Sequence, residues 1–232
     1  MENIIEVKNL TKIYNNKIVL NRINLKIKAG EIVSIVGPSG IGKTTLLKCM
    51  NNLIKIDSGK ILFEGVNINE IKATKLRQNI GLVFQEYSLF ENMTVIENLI
   101  IALRHIKNMS KEESIEKARK MLNKFGLIEK ENSYSDELSG GEKQRIAIIR
   151  TLLLDPKVIL FDEPTSALDK KSKLEILNII KELSKNNITI VIVSHEEQFV
   201  KKISERIIKI NWDWEGEYVW SWVLKNMMNQ KK

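Results

Sequence analysis

The sequence predicts an α/β fold: a mixed or parallel β core, a first third read as strands, and a helical lobe in the middle of the chain. Three observations carry that expectation. Near the start, "IIEVKNL", "IVLNRINLKI" and "EIVSIV" alternate or run continuously in β-branched apolar residues, the pattern of strands. Later, "KVILFDEP" and "ITIVIVSH" are short and apolar throughout, which suits strands buried on both faces. Between them, residues from about 94 to 154 change to helical spacing and carry three capping boxes: Thr94 with Glu97, Ser110 with Glu113, and Ser139 with Glu142.

A chain of 232 residues can bury a substantial core without disulfides, most simply as one domain with an inserted lobe. The single cysteine, Cys49, lies in the helix-like run "TTLLKCMNNL" and reads as a small core residue in a reducing compartment. No stretch approaches eighteen uninterrupted apolar residues, and "MENIIEVKNL" lacks the basic start and apolar block of a signal peptide. The expectation is a soluble chain in the cytosol. The formal charge is +8, but the lysines are scattered and the chain is heavy in Lys, Asn and Ile. That fits a solvated basic surface better than a patch for nucleic acid or an anionic membrane, and charge alone decides nothing; a nucleic-acid partner is not expected. Pro38, Pro156 and Pro164 fall at loops beside strand ends, where no ladder hydrogen bond is lost.

The first chemical motif is "GPSGIGKTT", residues Gly37, Pro38, Ser39, Gly40, Ile41, Gly42, Lys43, Thr44 and Thr45. It fits G-x-x-x-x-G-K-[ST] with a strand before it and a helix after it. The glycines let successive backbone N–H groups surround a polyphosphate seated on the positive end of the helix. Lys43 is expected to neutralise the β- and γ-phosphates, and the Thr44 hydroxyl to ligate Mg²⁺. A metal held by Thr44 and phosphates alone is under-coordinated, which directs attention to the carboxylates of "VILFDEP". Asp162 is expected to hold Mg²⁺ through water. Glu163, one residue beyond the strand, is expected to act as general base on the attacking water.

A second glycine-rich helix start, "LSGGE" at 138–142, together with the first loop and "ILFDEP", resembles the ATPase subunits of ABC transporters. Gln85 in "VFQE", "SALD" at 166–169 and His195 in "VSHE" follow in family order. The resemblance covers roughly residues 3–210 and implies a P-loop NTPase core with a mixed sheet at 1–85 and 156–210, an N-terminal antiparallel β subdomain, and an inserted α-helical subdomain with the signature segment at about 86–155. Taken alone, Ser139 with Glu142 is a helix cap. Gly140 and Gly141 add a backbone cost, and the reason read from the sequence is that a phosphate must approach the N–H groups closely. The resemblance implies that this phosphate belongs to ATP held by a second copy. Two chains in a closed two-fold pair then share two composite ATP sites.

The resemblance also implies that His195 contacts the γ-phosphate, that Gln85 touches Mg²⁺ and water, and that Asp169 crosses the dimer interface. Tyr14 is expected to stack on adenine. Ser194 and Glu197 are expected to form a further capping box. His105 reads as a local structural group. Transport requires separate integral-membrane permease subunits, with a solute-binding receptor acting indirectly. The expected location is peripheral, on the cytoplasmic face of the plasma membrane. Tyr87, Leu89, Phe90 and Met93 form either a permease-docking groove or core beneath the helical lobe, and the family position favours docking. The wording "LLKCMNNLIKIDSGKI" followed by "LFENMTVIENL" is similar to importers of polar amino acids. An export-type or lipoprotein-release ATPase, and a soluble ABC ATPase acting on nucleic acid or ribosomes, stand as alternatives. Residues 211–232 leave the family pattern. They hold Trp212, Trp214, Trp220 and Trp222 and fit a membrane-interface segment, a hairpin or an altered reading frame.

Overall fold

A computed structural model describes residues 2–212 and 218–224, with side chains through residue 210. The strands at the N-terminus are β1 (Asn3–Tyr14), β2 (Lys17–Lys28) and β3 (Ile32–Val36), followed by α1 (Lys43–Met50). Next come β4 (Ser58–Phe63), β5 (Val66–Asn67), α2 (Ala73–Asn79) and β6 (Ile80–Val83). The helical block is α3 (Val95–Ile106), α4 (Lys111–Lys124) and α5 (Gly140–Leu152). The chain then runs through β7 (Val158–Asp162), α6 (Lys170–Lys185), β8 (Thr189–Ser194), α7 (Glu197–Ile203), β9 (Arg206–Trp212) and β10 (Tyr218–Leu224).

Two sheets result. One is antiparallel in the order β2-β1-β4-β5; the other is mixed in the order β10-β9-β3-β8-β7-β6, with β9-β3-β8-β7-β6 parallel. The period-two rule of a strand divides the core. Val33 and Ile35 of β3 face a cluster shared with β1, β2, β4 and α1, whereas Ile32 and Val36 face α6 and α7. β7 does the same with Val158 and Leu160 on one side and Ile159 and Phe161 on the other. A third cluster joins α3, α4 and α5. The α5 helix belongs to two clusters, because Ala147 and Ile148 pack on the core while Ile146 and Ile149 pack on the lobe. A helix apolar on more than one side is a buried one.

All three helical capping boxes form, at Thr94–Glu97, Ser110–Glu113 and Ser139–Glu142. The fourth does not. Ser194 remains the last, buried residue of β8, and α7 starts only at Glu197 with Glu196 as an N-cap that makes no side-chain cap bond. The Ser194 hydroxyl instead accepts from the Glu196 N–H at 3.0 Å. Cys49 is fully buried, and burial pushes its thiol up to about 11. In the tail, Tyr218–Leu224 pairs antiparallel with Arg206–Trp212. Trp214 and the "EGE" turn lie outside the described residues, as does the membrane-interface reading of the tryptophan side chains.

Candidate functional site

The parallel register brings the sequence-predicted residues to one edge. Val36 is level with Ser194, Asp162 with Val193, and Val83 with Phe161. The residues that leave the carboxyl ends of these strands are therefore Gly37, Glu163, His195 and Gln85. In open α/β sheets this edge is where ligands bind. A cavity of about 720 Å³ beside Asn24, Lys26 and Arg206 lies at the opposite edge, since Arg206 pairs with Val33 at the start of β3.

The first glycine loop is shaped around Lys43. Gly42 caps α1 at φ 96°, where a Cβ would stand 2.8 Å from the Val19 carbonyl oxygen; only glycine fits there. The Lys43 ammonium is buried and donates to the carbonyls of Gly37 (2.8 Å) and Pro38 (3.0 Å). α1 has no side-chain cap and no acidic residue in its first turn, so its positive end is left for an anion. Pro38, Ser39 and Gly40 are exposed at the mouth, whereas Ile41 is fully buried and can offer only its backbone. Thr45 is half-buried in the first turn.

Beside the loop, Thr44 Oγ1 donates to Asp162 Oδ1 at 2.8 Å. Asp162 is 5% exposed, and burial raises its pKa against the opposing Thr44 hydrogen bond. A hydroxyl and a carboxylate in contact, both oxygen donors, suit a hard cation such as Mg²⁺. Glu163 adopts φ 48°, an uncommon left-handed conformation for a carboxylate residue that turns it out of β7. Its Oε2 accepts from the His195 backbone N–H (3.2 Å) and lies 2.9 Å from His195 Nδ1; Oε1 is 3.7 Å from Lys43 Nζ. Gln85 stands exposed two residues past β6.

Tyr14 is 41% exposed at the end of β1, with the Lys12 ammonium 5.0 Å from its ring centroid on one face. Lys12 is held there by Asp57 at 3.0 Å. Ile13 and Ile18, cross-strand partners at 40% and 52% exposure, form an apolar patch on the opposite face of the same hairpin. Sequence reasoning missed both. The signal was present, because two isoleucines flank the "NNK" turn and an exposed isoleucine pair asks for a cover.

At the second glycine start the chain supplies a further cause of its own. Ser139 closes a complete capping box: its hydroxyl accepts from the Glu142 N–H (3.3 Å) and donates to Glu142 Oε2 (2.8 Å). Hydrogen bonds from Ser139 and nearby Lys130 outweigh partial burial and hold the Glu142 carboxyl below its usual range. A Cβ at Gly141 would meet Ser172 Oγ at 2.4 Å and Ser172 Cβ at 2.9 Å; one at Gly140 would meet the Tyr87 hydroxyl at 3.1 Å. Packing within the same chain thus requires glycine at 141 and favours it at 140, whatever they do for a phosphate. Asp169 N-caps α6, accepting from the N–H groups of Lys171 (2.8 Å) and Ser172 (3.0 Å) and from the Ser172 hydroxyl (2.6 Å). The "SALD" segment and "LSGGE" therefore abut through Ser172.

Of the four residues in the docking expectation, Tyr87 and Leu89 turn inward against the core and lobe clusters. Met93 is half-buried, and only Phe90 is fully outward at 47% exposure. The inward pair corrects the sequence reading and has a local cause, two successive left-handed residues at Tyr87 (φ 57°) and Ser88 (φ 50°). Each costs about 1 kcal/mol for a non-glycine residue. Phe90 lies in a groove of about 600 Å³ with Phe84, Ile101, Ala102 and His105. His105 is exposed on its rim.

The described residues contain no helix long and apolar enough to cross a membrane. A sequence profile described as ABC transporter matches residues 20–166. The chain belongs to the ABC transporter ATP-binding family. The glutamine transport ATP-binding protein of Escherichia coli is 44% identical over 89% of this chain and 87% of its own. The arginine transport ATP-binding protein of Bacillus subtilis is 45% identical over 88% and 86%. A solved dimeric ATP-binding cassette in a post-hydrolysis state, bound to ADP and Pi, superposes with TM-score 0.84 at 34% identity, covering 95% of this chain and 98% of that one. This ABC protein is an ATP-binding, ATP-hydrolysing subunit with the P-loop NTPase fold.

Proposed function

We propose that this ABC ATPase works as a homodimer at the cytoplasmic face of the plasma membrane and powers import of a polar amino acid through separate permease subunits. The observation that carries the hydrolytic half is Glu163, suspended between Lys43 and His195 at the strand edge that bears the phosphate loop. Similarity to glutamine, arginine and L-cystine transport ATP-binding proteins supports the substrate class. The unit comprises the core at 1–85 and 156–210 and the lobe with its signature at about 86–155; 211–232 is an atypical tail.

ATP seats its adenine on the free face of Tyr14 and its phosphates on the N–H groups of residues 37–45. Lys43 exchanges the loop carbonyls for phosphate oxygens. Thr44, Asp162 and Gln85 would hold Mg²⁺, which when bound neutralises charge developing on the phosphates. Glu163 takes the proton from the attacking water. His195 holds Glu163 and faces the γ-phosphate. Ser139, Gly140, Gly141 and Asp169 close the site of the opposite chain, so hydrolysis removes the ligand that favours closure. The Phe90 groove, apolar and lined by Arg77 and Arg150 but by no described carboxylate, receives a short cytoplasmic helix of the permease.

The test is uptake. Loss of this gene should abolish uptake of one radiolabelled polar amino acid, and the Glu163→Gln chain should fail to restore it. Unchanged uptake of glutamine, arginine, cystine and glutamate alike would remove the import assignment.

A further inference from the structure

We propose that Arg150 is a positioning residue for ATP hydrolysis: it clamps the left-handed turn directly after Gln85 onto the signature helix, so that the Gln85 loop and the second glycine start move together. Arg150 carries a charge that no described carboxylate answers. Arg150 is half-buried in the last turn of α5, burial pulls its pKa below the usual guanidinium range, and no described acidic residue forms an ion pair with it. Its guanidinium meets backbone instead. Nη1 donates to the Ser88 carbonyl at 2.8 Å and Nη2 to the Tyr87 carbonyl at 3.3 Å, with Phe90 lying 6.0 Å from the guanidinium carbon.

Those two carbonyls belong to the consecutive non-glycine residues with positive φ. Such a conformation persists only where its surroundings over-determine it. A planar fork with two parallel donors is the side chain that can hold two successive carbonyls at once. From the other side, Asn98 of α3 holds Phe90, accepting from its N–H at 2.8 Å and donating to its carbonyl at 3.0 Å. The same turn also reaches the far end of α5, where the Tyr87 hydroxyl stands 3.1 Å from the Cβ position of Gly140. One loop thus brackets α5, by a ring at its first turn and by carbonyls at its last. Ten residues separate Gly140 from Arg150, roughly 15 Å of helix, so Arg150 acts through the loop rather than on the nucleotide.

The inference rests on the ATPase reading, and the parent chain's own Mg-ATP turnover reports on that separately: a parent without turnover defeats that reading. With an active parent, Arg150→Met should lower kcat about tenfold, as a modest misplacement of positioned groups does, while ATP affinity stays within about twofold. Amide exchange at residues 86–90 should accelerate. Adding Ser88→Gly should return kcat to within about threefold of the parent, because glycine holds the turn without a clamp. Arg150→Lys, with one point charge for two carbonyls, should fall between. Should Arg150→Met fail to fold, Arg150→Lys with the same Ser88→Gly rescue carries the test. Parental kcat in the arginine variant, or a double variant no better than the single, overturns the proposal and leaves Arg150 a packing residue.

Discussion

The two glycine-rich helix starts look alike in sequence and differ in physical cause. At Gly42 the backbone itself demands glycine, with φ 96° and a carbonyl 2.8 Å from the missing Cβ, and the helix behind it is left uncapped. At Gly140 and Gly141 φ is not in the left-handed region, the helix is capped by Ser139 and Glu142, and the missing methyl groups leave room for Tyr87 and Ser172. The first start is an uncapped helix end with room for an anion. The second is a finished helix cap pressed against the segment that carries Asp169. Glycine next to a polar residue at a helix start therefore says that something approaches closely, and the fold shows where the chain itself is one of the things that does.

The strongest way to separate the two is to arrest the chemistry. Glu163→Gln should cut turnover by about 10³, within the range for a lost general base, and ATP should then hold two chains together in sedimentation. Undiminished turnover would take Glu163 out of the base role. Next, Gly42→Ala should weaken ATP binding by the chain about 5- to 150-fold, since about 1–3 kcal/mol of clash and strain falls on the phosphate seat; titration calorimetry reads this. Gly141→Ala should destabilise the fold by a similar 1–3 kcal/mol yet leave ATP binding near parental, and Ser172→Gly in the same chain should restore melting. A loss of binding there would mean that both starts serve one nucleotide in one chain.

The smallest effect is in pH. Glu142 has a folded pKa below its unfolded value near 4.3, so its capping contribution is complete above that value and disappears as pH falls through the lower folded one. Amide exchange at residues 140–143 should quicken over that window. Exchange at 43–46 should lack this component, because α1 has no acidic cap.

What could be read in the sequence follows the range of the interaction. β3, β7 and β8 were legible because burial on both faces writes a continuous apolar run, and the capping boxes because they close within four residues. Asp162, Glu163 and His195 were legible as places, since each ends or follows such a run. The Ser194–Glu197 box failed through phase: the strand holds Ser194 to its end, and the helix starts too late for it to cap. Ser172 against Gly141 and Arg150 on the Tyr87–Ser88 turn leave no periodic trace, because they join distant segments. Lys12 shares a strand face with Tyr14 by the period of two, but its place depends on Asp57. The inward turn of Tyr87 and Leu89 was hidden because a left-handed pair of non-glycine residues has no sequence marker.

The dependence of turnover on protein concentration tests most directly whether an ATP site needs walls from two chains. With Mg-ATP saturating, activity per chain should rise with concentration and approach a plateau as the dimer fills, and Glu163→Gln should show the matching ATP-dependent pair. Activity per chain that stays constant on dilution, with only single chains in sedimentation, would contradict it.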